Sequence, residues 1–335
     1  MNSQARKQII LKHMKASTYE RYGPPDVLRI REIEIPLPRD NEVLVQVFAT
    51  TVNRTDCAML RAKPFIMRFL TGLFNPKRTI LGTDFAGKVM AIGKEVTSFN
   101  VGDNVFGFED TGLSTHAQYV CIPESKAISA MPQGVGYDQA AAALEGAHYA
   151  YNMLNKIKLK PSDNVLVNGA SGAIGSAMVQ LLNYYGANVT AVCNTKNIQL
   201  IQSLGAHKVI DYLKEDFTIL KEKYRYVFDA VGKSTFAKCK PLLEPDGAYI
   251  FSEPGPWAIN IFLALSTSLR KGKKVIFPIP FDCKRSVVLI RQLMEEQKFK
   301  AVIDRRYPFD KISDAFRYVE TGEKTGNIVI TFYCV

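Results

Sequence analysis

The stretch Asn164-Val-Leu-Val-Asn-Gly-Ala-Ser-Gly-Ala-Ile-Gly175 decides the fold of this 335-residue chain. Its first five residues form a compact run that predicts a buried strand, and the glycines at 169, 172 and 175 then predict a tight turn. Gly186 is placed to end the helix that the following apolar residues predict by their spacing: Ile174, Ala177, Met178, Leu181, Leu182 and Tyr185. The stretch therefore predicts a strand, a turn and an amphipathic helix.

Strands and helices continue to alternate after this unit. Further strands are predicted at Asn188–Cys193, Lys208–Asp211, Tyr226–Val231, Ala248–Ser252 and Lys274–Pro278. Such an alternation predicts an α/β domain with a doubly wound parallel sheet of the Rossmann type. Before it, from about residue 15 to 135, short β-like segments broken by Gly, Pro, Asn and Asp predict a β-rich, barrel-like domain.

Composition limits the classes of protein that fit. Hydrophobic residues make up 47% and charged residues 22%, as in ordinary globular chains. No apolar run reaches the roughly 18–20 residues of a membrane span, and the basic N-terminal residues lack a signal-peptide core, so we expect a cytoplasmic protein. The net charge of +11 comes from scattered Lys and Arg residues, and we therefore expect a solvated basic surface and no nucleic-acid partner. Six widely spaced cysteines without a C-x-x-C pair predict reduced thiols.

The glycine-rich turn also carries a chemical signal. Glycine lets the backbone approach a pyrophosphate, and the N-terminus of the next helix offers free N–H groups to that anion. We therefore predict dinucleotide binding at Ser171, Gly172, Ala173 and Ile174, the alternative being an ordinary strand-to-helix turn.

The end of the second strand indicates which dinucleotide is bound. An NAD site normally places Asp or Glu there to accept the ribose hydroxyls. This strand instead ends in Asn194, Thr195 and Lys196, so that a cation and two hydrogen-bond donors could meet a 2′-phosphate. We predict NADPH as the cofactor. In the competing interpretation these residues only cap and solvate the next helix.

Matches in order along the chain resemble the medium-chain dehydrogenase/reductase superfamily, and within it the zinc-free quinone oxidoreductase branch. They are Tyr22-Gly-Pro-Pro-Asp26, Gly82-Thr-Asp-Phe-Ala-Gly87, Val101-Gly-Asp-Asn-Val-Phe-Gly107, Ser203-Leu-Gly-Ala206, Val209-Ile-Asp-Tyr212, Phe228-Asp-Ala-Val-Gly232 and the closing Gly326-Asn-Ile-Val329. The resemblance implies a GroES-like substrate domain at 1–135 with residues 1–13 as an extension, a Rossmann domain at 136–275, and a segment 276–335 that completes the first. It also implies an interdomain cleft, a homodimer, and further cofactor contacts from Tyr212, Val231, Gly232, Phe251, Ser252 and Asn327.

Zinc-dependent members of that superfamily place catalytic ligands at positions that match Asn53, Thr83, Asp84 and Glu145. None of these is the Cys or His that zinc favours. Because no Lewis acid would lower the pKa of an alcohol, the resemblance implies reduction of an electrophilic acceptor, a small lipophilic quinone or α,β-unsaturated carbonyl.

The candidate catalytic residues are Asn53 and Thr55, which the resemblance places at the nicotinamide end of the cleft. Either side chain could donate a hydrogen bond to the substrate oxygen, and the alternative is ordinary turn chemistry. The Tyr that many members carry two residues after Asp56 is replaced by Ala58, which puts the usual substrate in doubt. A second class of function stays open: an NADPH-binding module, associated with nucleic acid or with a membrane through Trp257–Leu269, that has little or no turnover.

Overall fold

The computed structural model describes residues 12–65, 67–252, 259–268, 271–278 and 281–332. They divide into two compact units. The first comprises residues up to Met131 together with Arg306–Gly322 and the chain from Ile328, and the second comprises Pro132–Arg305 and Glu323–Asn327.

The strands and longer helices follow one another along the chain. Up to residue 131 they are β1 (His13–Thr18), β2 (Arg29–Glu34), β3 (Glu42–Val52), α1 (Arg54–Arg61), α2 (Met67–Thr71), β4 (Asp84–Ile92), β5 (Asn104–Phe108), β6 (Tyr119–Pro123) and β7 (Ile128–Ala130). Then come α3 (Tyr137–Ala142), α4 (Glu145–Leu154), β8 (Asn164–Asn168), α5 (Ala173–Tyr184), β9 (Asn188–Cys193), α6 (Ile198–Ser203), β10 (Lys208–Asp211), β11 (Tyr224–Asp229), α7 (Phe236–Cys239), β12 (Leu243–Phe251), α8 (Ile259–Ser268), β13 (Lys274–Ile276) and α9 (Cys283–Glu295). The last are β14 (Ile303–Pro308), α10 (Ile312–Glu320) and β15 (Asn327–Thr331).

The first unit is built on a largely antiparallel sheet. Its strands run in the order β14, β15, β3, β4, β5, β7, and β6 adds to β3. The alternating pattern of β3 buries Val43, Val45 and Val47 on one face, as a two-residue period requires. On the other side of this unit, α10 and α1 pack against β3 and β15 through residues such as Leu60, Phe316 and Ile328.

The second unit contains a parallel sheet in the order β10, β9, β8, β11, β12, β13. Each neighbouring pair is parallel, so all the carboxyl ends of these strands lie at one edge. Strand β8 buries Val165, Leu166 and Val167 completely, and the helix after it begins at Ala173 and ends before Gly186, as the sequence predicts. The predicted fold class is confirmed.

The boundary near the C-terminus differs from the expected one. We placed residues 276–335 with the first unit, whereas residues 276–305 belong to the second. The reason is that α9 packs on α4, burying Val287, Ile290 and Leu293. The first boundary falls at 131/132, near the expected 135/136.

Two stretches named in the sequence analysis lie partly outside the described residues. Of Trp257–Leu269 the structure describes residues 259–268, which form α8, and of the N-terminal extension only Lys12 and His13. Among the helices that the structure describes, none has both the length and the hydropathy of a membrane span.

Candidate active site

The carboxyl edge of the parallel sheet gathers most of the residues that we predicted to bind a cofactor. Ser171 to Ile174 follow β8, Asn194 to Lys196 follow β9, and Tyr212 follows β10. Val231 and Gly232 follow β11, and Ser252 follows β12. Ligands of open α/β sheets bind at this edge, because loops and helix N-termini meet there.

The three glycines of the turn have different reasons to be glycine. Gly169 has a φ of +79°, and a Cβ there would stand 2.7 Å from the Cβ of Val231. A Cβ at Gly175 would lie 2.1 Å from the carbonyl oxygen of Gly169, so close packing of α5 on the turn excludes it. At Gly172 the nearest atom to such a Cβ would be 3.6 Å away and φ is −76°. The protein itself therefore leaves room for a side chain at Gly172, and no contact within the fold requires glycine there.

The N-terminus of α5 presents backbone amides of the kind that bind phosphate, and Gly326 forms an isolated parallel bridge with Gly172 beside them. Gly172 is the N-cap residue, and it has no side chain to accept from the first-turn amides. Those amides have no partners within the helix and lie at the positive end of its dipole. The backbone of residues 172–174 therefore fits a pyrophosphate.

Two neighbouring segments hold this turn in place. A Cβ on Gly146 of α4 would lie 2.7 Å from the backbone carbonyl of Ala173, so only glycine lets α4 approach α5 so closely. On another side the amide of Gly326 donates to the carbonyl oxygen of Ser171 at 2.7 Å. Sequence analysis matched Gly326 to the family but missed Gly146, whose only signal is its place in an Ala-rich helix.

A carboxylate that we did not predict lies beside the turn after β9. Asp211 ends the adjacent strand β10, in register with Cys193, and its Oδ2 accepts a hydrogen bond from Thr195 Oγ1 at 2.6 Å. This bond lowers the pKa of Asp211, so the group is a carboxylate at neutral pH. Lys214 Nζ lies 3.8 Å from it and compensates part of its charge.

This arrangement corrects one of the predicted roles. The hydroxyl hydrogen of Thr195 is given to Asp211, so it is not directed at a phosphate. The Oδ1 of Asn194 accepts from Asn197 Nδ2 at 2.8 Å, which fixes that side chain within the turn. Lys196 is exposed in the same turn. Of the three predicted residues, Lys196 is the one whose charge is presented to solvent.

Asp229, which we did not single out, organises the next loop. It is fully buried at the end of β11 and accepts from the amides of Val231, Gly232 and Ser234 at 3.0–3.3 Å. It also accepts from Tyr249 Oη at 2.8 Å, and from Asn168 Nδ2 at 3.1 Å. The loop that we predicted to contact the cofactor is therefore shaped by this carboxylate.

Three other residues that we predicted to contact the cofactor differ in how far they are exposed. Phe251 is fully buried in the core of the second unit and stacks on Phe277 with ring centroids 5.1 Å apart, so its side chain cannot touch a ligand. Asn327 is buried, and its Nδ2 donates to the carbonyl oxygen of Val302 at 3.0 Å, which is a structural role. Tyr212, by contrast, is 52% exposed at the carboxyl edge.

Asn53 proves to be a helix cap. It forms a capping box with Asp56 at the start of α1: its side chain accepts from the Asp56 amide, and its own amide donates to the Asp56 carboxylate at 2.9 Å. Its Nδ2 donates inward to Thr51 Oγ1 at 2.5 Å and lies 3.4 Å from Asp84 Oδ2. Asn53 is 4% exposed, so the geometry does not support our prediction that it donates to a substrate. Thr55, in the first turn of α1, is partly exposed.

Asp84 lies at the centre of a buried polar network in the first unit. It accepts from the amide of Thr51 at 2.8 Å and from the hydroxyl of the same residue at 2.5 Å. Burial raises the pKa of Asp84 to about 7 and also raises the pKa of Asp56. His116 Nε2 lies 2.9 Å from the carbonyl oxygen of Thr51, and burial lowers the pKa of His116 to about 4, so its ring is neutral at physiological pH.

Two of the positions that match zinc ligands are engaged by a neighbouring threonine. Asn53 Nδ2 and the Asp84 carboxylate both bond the Thr51 hydroxyl. Among the described residues, no three His, Cys, Asp or Glu side chains are grouped so that they could hold a metal ion.

Comparison with known proteins places this geometry in a family. Residues 39–142 match the alcohol dehydrogenase GroES-like domain, and residues 204–330 match the family described as zinc-binding dehydrogenase. The chain is 32% identical over 333 residues to the chloroplastic quinone-oxidoreductase homolog of Spinacia oleracea, covering 95% of this chain and 98% of that protein. It is 30% identical to the chloroplastic NADPH-dependent alkenal/one oxidoreductase of Arabidopsis thaliana, covering 96% and 80% of the two chains.

Solved structures show the same fold. The quinone oxidoreductase from Coxiella burnetii superposes with a TM-score of 0.83 at 24% sequence identity, over 96% of this chain and all of that one. The chain is therefore an oxidoreductase that uses a nicotinamide cofactor, and it belongs to the medium-chain dehydrogenase/reductase superfamily, in its quinone oxidoreductase-like branch.

Proposed function

We propose that this enzyme is an NADPH-dependent reductase that transfers a hydride to a quinone or an α,β-unsaturated carbonyl without zinc. The observation that carries the proposal is the accessible backbone around Gly172. This backbone lies at the N-terminus of α5, and the exposed Lys196 follows the adjacent strand. The names of the relatives support the acceptor class, since they include a quinone oxidoreductase homolog and an alkenal/one oxidoreductase.

NADPH rather than NADH is favoured by the charge after β9. The carboxylate of Asp211 is engaged by Thr195, by the Leu213 amide at 3.1 Å and by Lys214, so it is not presented to a ribose as an NAD-selective acid would be. Lys196 is the exposed cation that would pair with a 2′-phosphate.

A charge reversal tests this selectivity. Lys196→Glu should weaken NADPH binding by about 1–3 kcal/mol and leave NADH binding nearly unchanged, as measured by titration calorimetry. Lys88→Glu, on the exposed face of β4 in the first unit, is the matched control for net charge. Equal losses for both cofactors, or none for either, would contradict the assignment of Lys196.

For the reaction itself, bound NADPH would supply a hydride from its dihydronicotinamide ring. A hydride delivered to the β-carbon of an enone would move the electron pair of the C=C bond toward the carbonyl oxygen, and a proton from water would complete the reduction. Thr55 is partly exposed in the first turn of α1, and on the resemblance to the family we assign it the hydrogen bond that stabilises the developing enolate. Thr55→Val, which keeps the shape and removes the hydroxyl, should lower kcat while leaving NADPH affinity unchanged.

Zinc independence rests on donor chemistry. An amide, a hydroxyl and a carboxylate replace the Cys and His ligands at positions 53, 83 and 84, and the amide and carboxylate among them are bound to Thr51. Elemental analysis of dialysed, active protein should find far less than one zinc per chain. A stoichiometric zinc whose removal by a chelator abolishes activity would contradict this part of the proposal.

A homodimer and a cytoplasmic location remain predictions from the resemblance and the composition. The competing function is a binding module that holds NADPH without turnover. Steady oxidation of NADPH over many turnovers, in the presence of a panel of enones and quinones, distinguishes the enzyme from the module.

A further inference from the structure

A compact cluster of a thiol, an imidazole and a hydroxyl lies where α4 packs against the start of α9. His148 on α4 is 1% exposed, and its Nδ1 lies 2.8 Å from the Oγ of the fully buried Ser286 on α9. Its other ring nitrogen, Nε2, lies 4.0 Å from the Sγ of Cys283, which is half-buried at the first position of α9. All three residues belong to the second unit.

The hydrogen bonds of Ser286 connect the two ring nitrogens of His148 with the thiol. Ser286 Oγ can donate its single hydrogen to the carbonyl oxygen of Asp282 at 3.3 Å. It then accepts from His148 Nδ1, and in this tautomer the lone pair lies on Nε2, the nitrogen that is 4.0 Å from the sulfur of Cys283. The amide nitrogen of Asn152 does not select between the ring nitrogens, since it lies 3.3 and 3.4 Å from them and donates to the backbone oxygen of His148 at 2.9 Å.

Cys283 lies beside two features of the kind that stabilise a thiolate. A helix N-terminus and a neighbouring imidazole both stabilise negative charge on sulfur. Cys283 opens the thirteen-residue α9, whose N-cap carboxylate, Asp282, is occupied by the amide of Arg285 at 3.0 Å. Asn152 Oδ1 accepts from the Phe281 amide at 3.1 Å and so ties the preceding loop to the helix that carries His148.

The same chain contains a thiol of similar exposure without this environment. Cys121 on β6 is also half-buried, and its Sγ donates to the carbonyl oxygen of Pro36 at 3.7 Å. Burial raises the pKa of the Cys121 thiol to about 12. Cys121 is therefore an internal reference for a thiol whose reactivity is suppressed by burial.

We propose that Cys283 is a nucleophilic cysteine, activated by His148, that forms covalent adducts with soft electrophiles of the activated-alkene class. The thiol proton moves from Sγ to Nε2, and the sulfur lone pair attacks the β-carbon of the alkene. The C–S bond forms, the π electrons move to the adjacent carbonyl as an enolate, and the α-carbon then takes the proton from the imidazolium. The step needs no oxidant and no leaving group, and it does not depend on the proposed reductase function.

The wild-type protein alone tests the proposal. It is treated with N-ethylmaleimide at pH 7 in the absence of NADPH, and adducts at each cysteine are followed in time by peptide mass spectrometry. We expect Cys283 to be labelled faster than N-acetylcysteine at the same pH, which is an unactivated and fully accessible thiol, and far faster than Cys121. Labelling of Cys283 at or below the rate of N-acetylcysteine would overturn the proposal.

Two variants test the role of the imidazole. His148→Gln should reduce the labelling rate of Cys283 by about a hundredfold, and Ser286→Ala, which removes only the positioning hydroxyl, should reduce it to a smaller extent. Labelling of the buried Cys193 and Cys239 reports any unfolding of a variant. If one of the two variants is labelled at these positions, the test relies on the other variant. A folded variant that retains the wild-type rate at Cys283 would overturn the base assignment, whereas Cys121→Ser should leave that rate unchanged.

Discussion

Replacing Gly172 with alanine separates the two reasons for which a turn can contain glycine. The residue has a φ of −76° and a ψ of 175°, which alanine adopts without strain. A Cβ at this position meets only the carbonyl oxygen of Gly169, at an ordinary contact distance of 3.6 Å. The fold therefore does not require glycine here for steric reasons. Binding does require it if a pyrophosphate approaches the backbone at this position.

The stability change can be estimated from two opposing terms. Alanine is a poorer N-cap than glycine by somewhat under about 1 kcal/mol. It also restricts the unfolded chain, which stabilises the native state by about 0.4–1 kcal/mol. We therefore expect the free energy of unfolding of Gly172→Ala to stay within about 0.5 kcal/mol of wild type, while NADPH affinity falls at least tenfold, or about 1.4 kcal/mol.

The assay combines chemical denaturation without cofactor and calorimetric titration with NADPH. Gly175→Ala is the matched control, because its Cβ would lie 2.1 Å from the carbonyl oxygen of Gly169 and should destabilise the fold by about 1–3 kcal/mol. If Gly172→Ala binds NADPH as tightly as wild type, the cofactor does not approach this backbone and the reasoning is refuted.

Three further predictions concern buried polar groups. Asn53→Ala should lower the free energy of unfolding by about 1 kcal/mol, whereas Asn53→Ser should restore most of it as a competent cap; full stability with lost activity would instead favour the catalytic role. Asp229→Asn should destabilise the protein by at least about 3 kcal/mol in urea titrations, since an amide group would face donors, and a smaller loss would show that the loop does not depend on this carboxylate. Because the pKa of His116 is about 4 in the folded protein and 6.5 ordinarily, protonation of the unfolded state should remove up to about 3 kcal/mol as pH falls from 6.5 to 4. His116→Gln should lack this part of the pH dependence, and identical profiles for the two proteins would contradict it.

The sequence predicted those backbone features of the second unit on which the proposed cofactor site depends. The glycine spacing, the strand before it and the helix after it specify Gly172 and the N-terminus of α5. Parallel strand order then brings the loops after β9, β10, β11 and β12 to the same edge, so residues such as Lys196, Tyr212 and Gly232 could be named from their positions at strand ends.

Side-chain direction was not predictable in the same way. Phe251 and Ser252 are neighbours at the end of β12, yet one points into the core and the other lies at the edge, because successive side chains of a strand alternate. Asn53 matches a family position, but the sequence does not show which groups its side-chain amide contacts. Those groups belong to Thr51 and to Asp84, and the second is distant in sequence.

The partners of charged residues on neighbouring strands could not be predicted from the sequence either. Asp211 reaches Thr195 only because β9 and β10 pair in a register that sets Cys193 opposite Asp211. In the sequence, Asp229 is only a member of a family motif. Its five hydrogen-bond partners come from the end of β8, from β12 and from the loop that it shapes.

The transfer of a labelled hydride tests the central claim most directly. The enzyme is given NADPH carrying deuterium at C4 of the nicotinamide, together with a simple enone, and the product is analysed by mass spectrometry. The proposal predicts a saturated ketone with one deuterium at its β-carbon, formed over many turnovers in protein that contains no stoichiometric zinc. NADPH that binds but transfers no deuterium to any enone or quinone of the panel would contradict it, and would leave a dinucleotide-binding protein without this activity.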